Sequence, residues 1–211
     1  LPAAYTSSNK AELRPPGRFA LVRKENLMDL HFRPMRLHSR IQETPDTFTQ
    51  NFVPLDGKPF VNRPGQFTVV KVGETGVCRP YTVSSTHGIS EFVTTTVCRV
   101  PGGCASNWIT TVPVGNTVHL AEPMGDFTCD DDPIEKFLLM ASGSGITPIL
   151  SMTRWLLVHK PRVDIEVVYT TKSPEHVVQR DWWTVMTECR PELKTHISVS
   201  YTHLTLPTNR E

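Results

Sequence analysis

The sequence predicts two domains, a six-stranded antiparallel β-barrel followed by an α/β domain with a parallel sheet. Three observations lead to this prediction. Six short segments rich in β-branched and aromatic residues follow one another between residues 35 and 121. After residue 132 the pattern changes to alternating strand and helix segments, which is typical of β-α-β units. A glycine turn at residues 142–145, Ser-Gly-Ser-Gly, separates the first strand of this second part from its first helix.

The first part contains a loose leader and the predicted barrel. Residues 1–33 carry several prolines and many polar residues without a sustained hydrophobic period, so we expect an irregular leader there. The barrel is expected over residues 34–132, with turn signals at Asp56-Gly57 and Gly73-Glu74. One segment, residues 105–111, is compatible with a helix. The predicted strands are residues 35–43, 47–53, 66–72, 79–84, 91–100 and 117–121.

The second predicted domain covers residues 133–198. Residues 137–141 are apolar without interruption and too few for a helix, which favours a buried strand. The apolar residues that follow recur at helical spacing, and Pro148 stands near the helix start, where its missing N–H costs nothing. The predicted elements are strands at 137–141, 164–169 and 193–198 and helices at 146–159 and 174–188.

Composition excludes some classes of function. The 211 residues carry 22 Lys and Arg against 21 Asp and Glu, a net charge of +1, so no broad electrostatic argument supports binding to nucleic acid or an anionic membrane. No run of about 18 apolar residues and no signal-peptide pattern occur, and we expect a cytoplasmic protein. Five cysteines without a C-x-x-C pair favour reduced thiols over a zinc site or a disulfide framework.

Three motifs could bind a ligand, although each has an ordinary structural alternative. Residues 79–84, Arg-Pro-Tyr-Thr-Val-Ser, would place a phosphate clamp and a flat stacking surface on one face of a strand; an exposed strand with these residues by chance is the alternative. Residues 102–107, Gly-Gly-Cys-Ala-Ser-Asn, and the turn at 142–145 both lead glycines into a helix N-terminus, which suits an anion. An ordinary turn is as good an interpretation of either alone, since the third glycine of the dinucleotide fingerprint is missing.

Taken together and in this order, the motifs are much more specific. Arg-x-Tyr-Thr-x-Ser, Gly-Gly-x-x-Ser-Asn-Trp, Pro-x-Gly-x-Phe and Gly-x-Gly-Ile-Thr-Pro follow a six-strand pattern, and this arrangement resembles the ferredoxin-NADP reductase superfamily. The resemblance implies a Greek-key barrel that binds FAD and a following domain that binds a nicotinamide nucleotide.

The resemblance also implies residue roles. Arg79 would contact the flavin phosphates and Tyr81 would lie against the isoalloxazine ring. Thr82 would hydrogen-bond near flavin N5. With Thr147 it forms the pair expected to position the hydride transfer. The full set of implied cofactor-binding residues is Arg79, Tyr81, Thr82, Ser84, Val97, Gly103, Ser106, Gly143, Gly145 and Thr147; no metal ligand is among them.

Residues 125–131, Gly-Asp-Phe-Thr-Cys-Asp-Asp, and residues 136–139, Lys-Phe-Leu-Leu, resemble the NADH oxidoreductases that serve the hybrid-cluster protein, and this resemblance covers residues 35–198. The similarity implies NADH as electron donor and the hybrid-cluster protein as redox partner. Electrons would pass through a plant-type two-iron two-sulfur centre in a C-terminal domain. This sequence has no C-x₄-C-x₂-C run, so we expect the 2Fe-2S centre only in a missing domain and the nucleotide domain to be truncated.

Residues 199–211 resemble a translated sequencing adapter and are expected to be an artefact; a natural strand and turn is the alternative. Two other functions remain open, a non-enzymatic flavin- or nucleotide-binding redox regulator and an oxygenase-coupled reductase. The residues that follow the second strand, Tyr169 to Lys172, include neither the acidic residue of NAD sites nor an arginine, so they do not decide between NADH and NADPH.

Overall fold

A computed structural model describes residues 30–199 of the chain, and these form two sheets. Residues 1–29 of the predicted leader and residues 200–211 of the predicted adapter tail lie outside the described residues. The first strand begins at Phe32, within the range predicted as leader. Val199, where the predicted artefact begins, is the last residue of the final strand.

The first sheet contains six strands in the order β4-β3-β6-β1-β2-β5, and all of its neighbours pair antiparallel. This confirms the predicted six-stranded antiparallel fold. The predicted barrel is not closed by a continuous ladder, however, because among the described residues the two edge strands are joined only by an isolated bridge between Val83, which follows β4, and Thr95 of β5. The elements are β1 Phe32–Gln42, β2 Thr47–Pro54, β3 Phe67–Lys71, β4 Cys78–Thr82, β5 Val93–Cys98, α1 Cys104–Thr111 and β6 Thr117–Ala121.

Alternation of apolar and polar residues builds the core of this sheet. Met35 and Leu37 on β1 are fully buried while Arg36 between them is exposed, as expected of a strand with one face toward the core. α1 covers the end of the core through Ile109, which is also fully buried. Tyr81 and Trp108 pack at the edge of this cluster.

The second sheet is parallel, in the order β7-β8-β9, and confirms the predicted β-α-β alternation. The helix α2, Ile146–His159, has the predicted bounds. The predicted helix at 174–188 is divided into a 3₁₀ turn, Pro174–His176, and a helix α3, Arg180–Cys189. The division arises because Val177 and Val178 are buried in the core and Gln179 adopts a left-handed conformation, φ 52°. The strands are β7 Lys136–Ser142, β8 Asp164–Thr171 and β9 Leu193–Val199.

Buried hydrogen bonds hold α2 against the first domain. Thr86 Oγ1 donates to the carbonyl of Ser151 (3.0 Å), and Ser151 Oγ donates to the carbonyl of Ser85 (2.9 Å). Arg154 Nη1 donates to the carbonyl of Ser84 (2.7 Å). Burial lowers the pKa of Arg154 to about 10, so its guanidinium is still charged at neutral pH. These contacts fix the middle of α2 against the segment that follows β4.

Acid should weaken an ion pair at the other end of the first sheet. The buried guanidinium of Arg33 donates to both carboxylate oxygens of Asp56, at 2.9 and 2.8 Å. This hydrogen bonding lowers the pKa of Asp56 to about 2. A carboxylate whose folded pKa lies below its unfolded pKa of about 3.9 stabilises the fold above about pH 4, and this contribution is lost as the pH falls toward 2.

We therefore expect Asp56→Asn to reduce the loss of unfolding free energy between about pH 5 and pH 2, although the variant is less stable than the wild type at neutral pH. Urea unfolding followed by circular dichroism at several pH values measures this. The same pH slope in both proteins would show that the pair contributes nothing.

Candidate functional site

A cleft of about 760 Å³ lies where β4 and β5 diverge, and the start of α2 forms its third wall. It is present because the two edge strands separate beyond their single bridge. Within the described part of the chain, residues 30–199, no aspartate or glutamate lines it and Arg79 is its one charged lining residue. The lining residues are Arg79, Pro80, Tyr81, Thr82, Thr96, Val97, Cys98, Val100, Gly103, Cys104, Ala105, Ser106, Ser144, Gly145, Thr147 and Pro148.

The structure brings eight of the ten predicted site residues to this cleft, namely Arg79, Tyr81, Thr82, Val97, Gly103, Ser106, Gly145 and Thr147. Two lie elsewhere. Ser84 is fully buried, and its hydroxyl contacts the Thr94 carbonyl (3.2 Å) and the Thr96 hydroxyl (3.1 Å). Gly143 lines a second, smaller cleft.

The β4 wall offers a cation, an aromatic face and a hydroxyl. The Arg79 side chain is exposed and donates one hydrogen bond, at 2.8 Å, to the carbonyl of Cys78. Tyr81 is half-buried; burial raises the pKa of its phenol and nearby Arg79 opposes that shift, so the hydroxyl is neutral at physiological pH. Within residues 30–199 the hydroxyl of Thr82 makes no hydrogen bond, which leaves it available to a ligand.

The opposite wall is built from the edge of β5 and the N-terminus of α1. Val97 pairs with β2 on one side only, so the other edge of its backbone faces the cleft. Gly103 precedes α1 and is packed closely, since a Cβ there would lie 2.6 Å from Ser106 Oγ. Ser106 Oγ in turn accepts from the backbone N–H of Val100 (3.1 Å). Among the described residues no side chain caps α1, and its first residues, Cys104 to Ser106, line the cleft, an arrangement that suits an anion.

The third wall is the turn that leads from β7 into α2. Gly143 has φ +52°, a left-handed conformation that favours glycine. Gly145 has an ordinary helical φ of −64°, and a Cβ on it would meet no atom within 4 Å. Its missing side chain therefore leaves open space beside the cleft rather than relieving a clash. Thr147 Oγ1 donates to the carbonyl of Ser144 (3.0 Å) and so fixes the turn.

A second cleft of about 320 Å³ adjoins the first at Cys98 and Ser144 and lies at the carboxyl end of the parallel sheet. The sequence motifs did not identify its charged residues, Asp46 and Lys172, which form an ion pair of 2.7 Å between the turn that joins β1 to β2 and the end of β8. The two residues are 126 positions apart, and no local pattern connects them. Its lining residues are Asp46, Thr47, Cys98, Ser142, Gly143, Ser144, Thr170, Thr171, Lys172, His176 and Val178.

Other features of the described residues bear on the class of chemistry. All five cysteines are free, and burial raises the pKa of the Cys129 thiol to about 12. Between residues 30 and 199 no group of three or more His, Cys, Asp or Glu residues is arranged to hold a metal ion. Over the same span, no helix has the length and apolar character needed to cross a membrane.

Comparison with known proteins gives consistent matches. Residues 34–129 match the model of the oxidoreductase FAD-binding domain. The chain is 43% identical over 151 residues to NADH oxidoreductase HCR of Escherichia coli, which covers 71% of this chain and 46% of that protein. It is 36% identical over 141 residues to a glycine betaine monooxygenase reductase subunit of Chromohalobacter salexigens, which covers 65% of this chain and 38% of the relative.

Among solved structures the fold is similar to ferredoxin-NADP+ reductase from Plasmodium falciparum, with a TM-score of 0.72 and 16% identity over 82% of this chain and 72% of that one. The fold class predicted from the sequence is therefore confirmed. The chain spans less than half the length of the two curated relatives.

Proposed function

We propose that the chain is the flavin- and nucleotide-binding part of an NADH-dependent reductase, because residues 34–129 match the model of the oxidoreductase FAD-binding domain and the chain is 43% identical over 151 residues to an NADH oxidoreductase. FAD would occupy the cleft between β4, β5 and α1, and NADH would approach from α2. The observation that carries the proposal is the convergence of four separate sequence segments on one cleft, which places Arg79, Val97, Gly103 and Gly145 along its walls.

The chemistry of the cleft fits FAD. The cofactor combines a flat aromatic ring with a pyrophosphate, so its site needs a stacking surface and positive groups. Tyr81 offers a half-buried ring, and Arg79 and the uncapped N-terminus of α1 offer charge and N–H donors. Gly103 and Ser106 both line the cleft, and among residues 30–199 no lining carboxylate opposes the anion.

Bound FAD would supply the two-electron chemistry, accepting hydride from a nicotinamide ring. The residues of this chain bind and orient. Thr82, with its free hydroxyl, would donate to the flavin ring, and Arg79 would neutralise the phosphates. Thr147 holds the turn that carries Gly145 and so keeps space open where the nicotinamide would stack. None of these residues is a nucleophile or needs to change its protonation state.

We propose further that the electrons continue to a 2Fe-2S centre in a domain outside this chain and then to the hybrid-cluster protein. The 43% identity to NADH oxidoreductase HCR supports this acceptor. An oxygenase is the second candidate, because a relative at 36% identity is named as a monooxygenase reductase subunit. Adding each purified acceptor to the reconstituted full-length protein with NADH, and measuring which one is reduced, distinguishes them.

Reconstitution tests the central proposal. We expect the purified chain, incubated with FAD and desalted, to retain one equivalent of flavin and to show its visible absorption bands. Anaerobic addition of NADH should bleach these bands. A chain that is folded by circular dichroism but retains no flavin would contradict the assignment of the barrel, and retained flavin that NADH does not bleach would contradict the assignment of the second domain.

A further inference from the structure

The end of β8 lacks the acidic residue that its position calls for. In dinucleotide-binding folds a carboxylate that follows the second strand accepts a hydrogen bond from the adenosine 2′-hydroxyl of NAD, and a cation there accommodates the 2′-phosphate of NADP. β8 is the second strand of this domain, and it ends at Thr171 followed by Lys172. By sequence alone this end of the sheet carries a cation, and the nearest following carboxylate, Glu175, does not line the cleft there.

The structure brings a carboxylate to this position from the other domain. Asp46, in the turn between β1 and β2, places Oδ2 2.7 Å from Lys172 Nζ. His176 Nε2 lies 3.8 Å from the same oxygen. The ion pair borders the cleft of about 320 Å³ at the carboxyl end of the parallel sheet, where ligands of open α/β sheets bind. This cleft shares the lining residues Cys98 and Ser144 with the cleft proposed for the flavin.

The local structure holds Asp46 in place and ionised. Its Oδ1 accepts from Thr44 Oγ1 (2.9 Å) and Thr47 Oγ1 (3.1 Å), and both threonines are buried. Partial burial alone would raise the pKa of Asp46, but the hydrogen bonds from Lys172, Thr44 and Thr47 outweigh it and lower the pKa to about 2. The two oxygens thus have different partners, since Oδ1 accepts from the threonines of the turn and Oδ2 accepts from Lys172.

The arrangement favours a ribose diol over a phosphate ester. The charge of Lys172 is compensated by Asp46, so it is not free to attract a 2′-phosphate. A phosphomonoester carries a charge of about −1.5 to −2 at neutral pH and would be placed against the carboxylate. Like charges in contact oppose binding, whereas a hydroxyl can donate to the same oxygen.

We propose, on the basis of the proposed function, that Asp46 of the flavin domain accepts a hydrogen bond from the adenosine ribose of the dinucleotide. By neutralising Lys172, Asp46 would also make the chain select NADH over NADPH. The residue that determines nucleotide specificity then belongs to the flavin domain and not to the domain that has the nucleotide-binding fold. Dinucleotide recognition would require both domains in their present arrangement.

Asp46→Asn tests this assignment with little disturbance to the turn. Asparagine keeps an oxygen at the position of Oδ1, so the hydrogen bonds from Thr44 and Thr47 can remain, while the charge that neutralises Lys172 is removed. We expect the ratio of the dissociation constants of NADP⁺ and NAD⁺, measured by isothermal titration calorimetry on the FAD-loaded 211-residue chain, to shift toward NADP⁺ by about tenfold or more.

Two further variants make the test specific. Asp164→Asn removes the same charge from an exposed ion pair with Lys194 at the opposite end of β8, and it should leave the ratio unchanged. The double variant Asp46→Asn/Lys172→Ala should lose the gain in NADP⁺ affinity, because the freed cation is gone.

The outcomes separate the two proposals. If the wild type binds NAD⁺ but Asp46→Asn leaves the ratio unchanged, or if the wild type already prefers NADP⁺, the role of Asp46 is wrong and the reductase proposal is unaffected. If the folded, flavin-loaded wild type binds neither nucleotide, both the nucleotide site and the role of Asp46 are wrong.

Discussion

Replacing Arg79 with alanine should weaken FAD binding by about 10- to 100-fold and leave the stability of the protein without flavin nearly unchanged. A hydrogen bond to a charged group contributes about 1.5–3 kcal/mol, and about 1.4 kcal/mol corresponds to a tenfold change in affinity. Arg79 is exposed and donates only to the carbonyl of its neighbour Cys78 among the described residues, so its loss disturbs little of the fold. Fluorescence titration with FAD and thermal unfolding of the flavin-free protein measure the two effects.

Arg36→Ala is the matched control, because Arg36 is equally an exposed arginine of the first sheet but does not line the cleft. It should bind FAD as the wild type does. Tyr81→Phe keeps the ring and should retain flavin, whereas Tyr81→Ala should lose it. If Arg79→Ala and Arg36→Ala bind FAD equally well, the phosphate-clamp role of Arg79 is wrong.

The parts of the fold that the sequence predicts well are those governed by local pattern. α2 has the predicted bounds because its apolar spacing, the preceding glycines and Pro148 all favour the same helix. β6 is likewise predicted with its observed bounds, Thr117–Ala121. The sequence also indicated that the motifs lie close together, because they follow one another along the chain in the order that resembles the ferredoxin-NADP reductase superfamily.

Features that depend on tertiary contacts were not predictable in this way. The left-handed Gln179 divides a helix that the residue pattern favours, because burying Val177 and Val178 stabilises the extended connection. Whether β4 and β5 close the barrel depends on how far two edge strands diverge, which no short motif encodes. The pairing of Asp46 with Lys172 is a contact between domains and has no local signal.

The largest loss of stability should come from Gly65→Ala. Gly65 has φ +94°, and a Cβ there would lie 2.2 Å from the carbonyl oxygen of Phe127 and 2.5 Å from Met152 Cε. Non-glycine residues in left-handed backbone cost about 1–2 kcal/mol, and overpacking adds about 1–3 kcal/mol. We therefore expect the free energy of unfolding to fall by about 2–5 kcal/mol in urea titrations followed by circular dichroism.

Gly57→Ala separates the two causes, because Gly57 also has a positive φ, +69°, but a Cβ there would meet nothing within 4 Å. If both variants lose the same free energy of unfolding, Phe127 and Met152 move away from the added Cβ at residue 65 without strain. If Gly65→Ala lowers the free energy of unfolding much more than Gly57→Ala does, the clash with Met152 is transmitted to α2. This helix carries Met152 and begins beside Gly145. Any folded Gly65→Ala protein should then lose NADH affinity more than FAD affinity, since the proposed function places NADH beside α2 and the FAD phosphates beside β4 and α1.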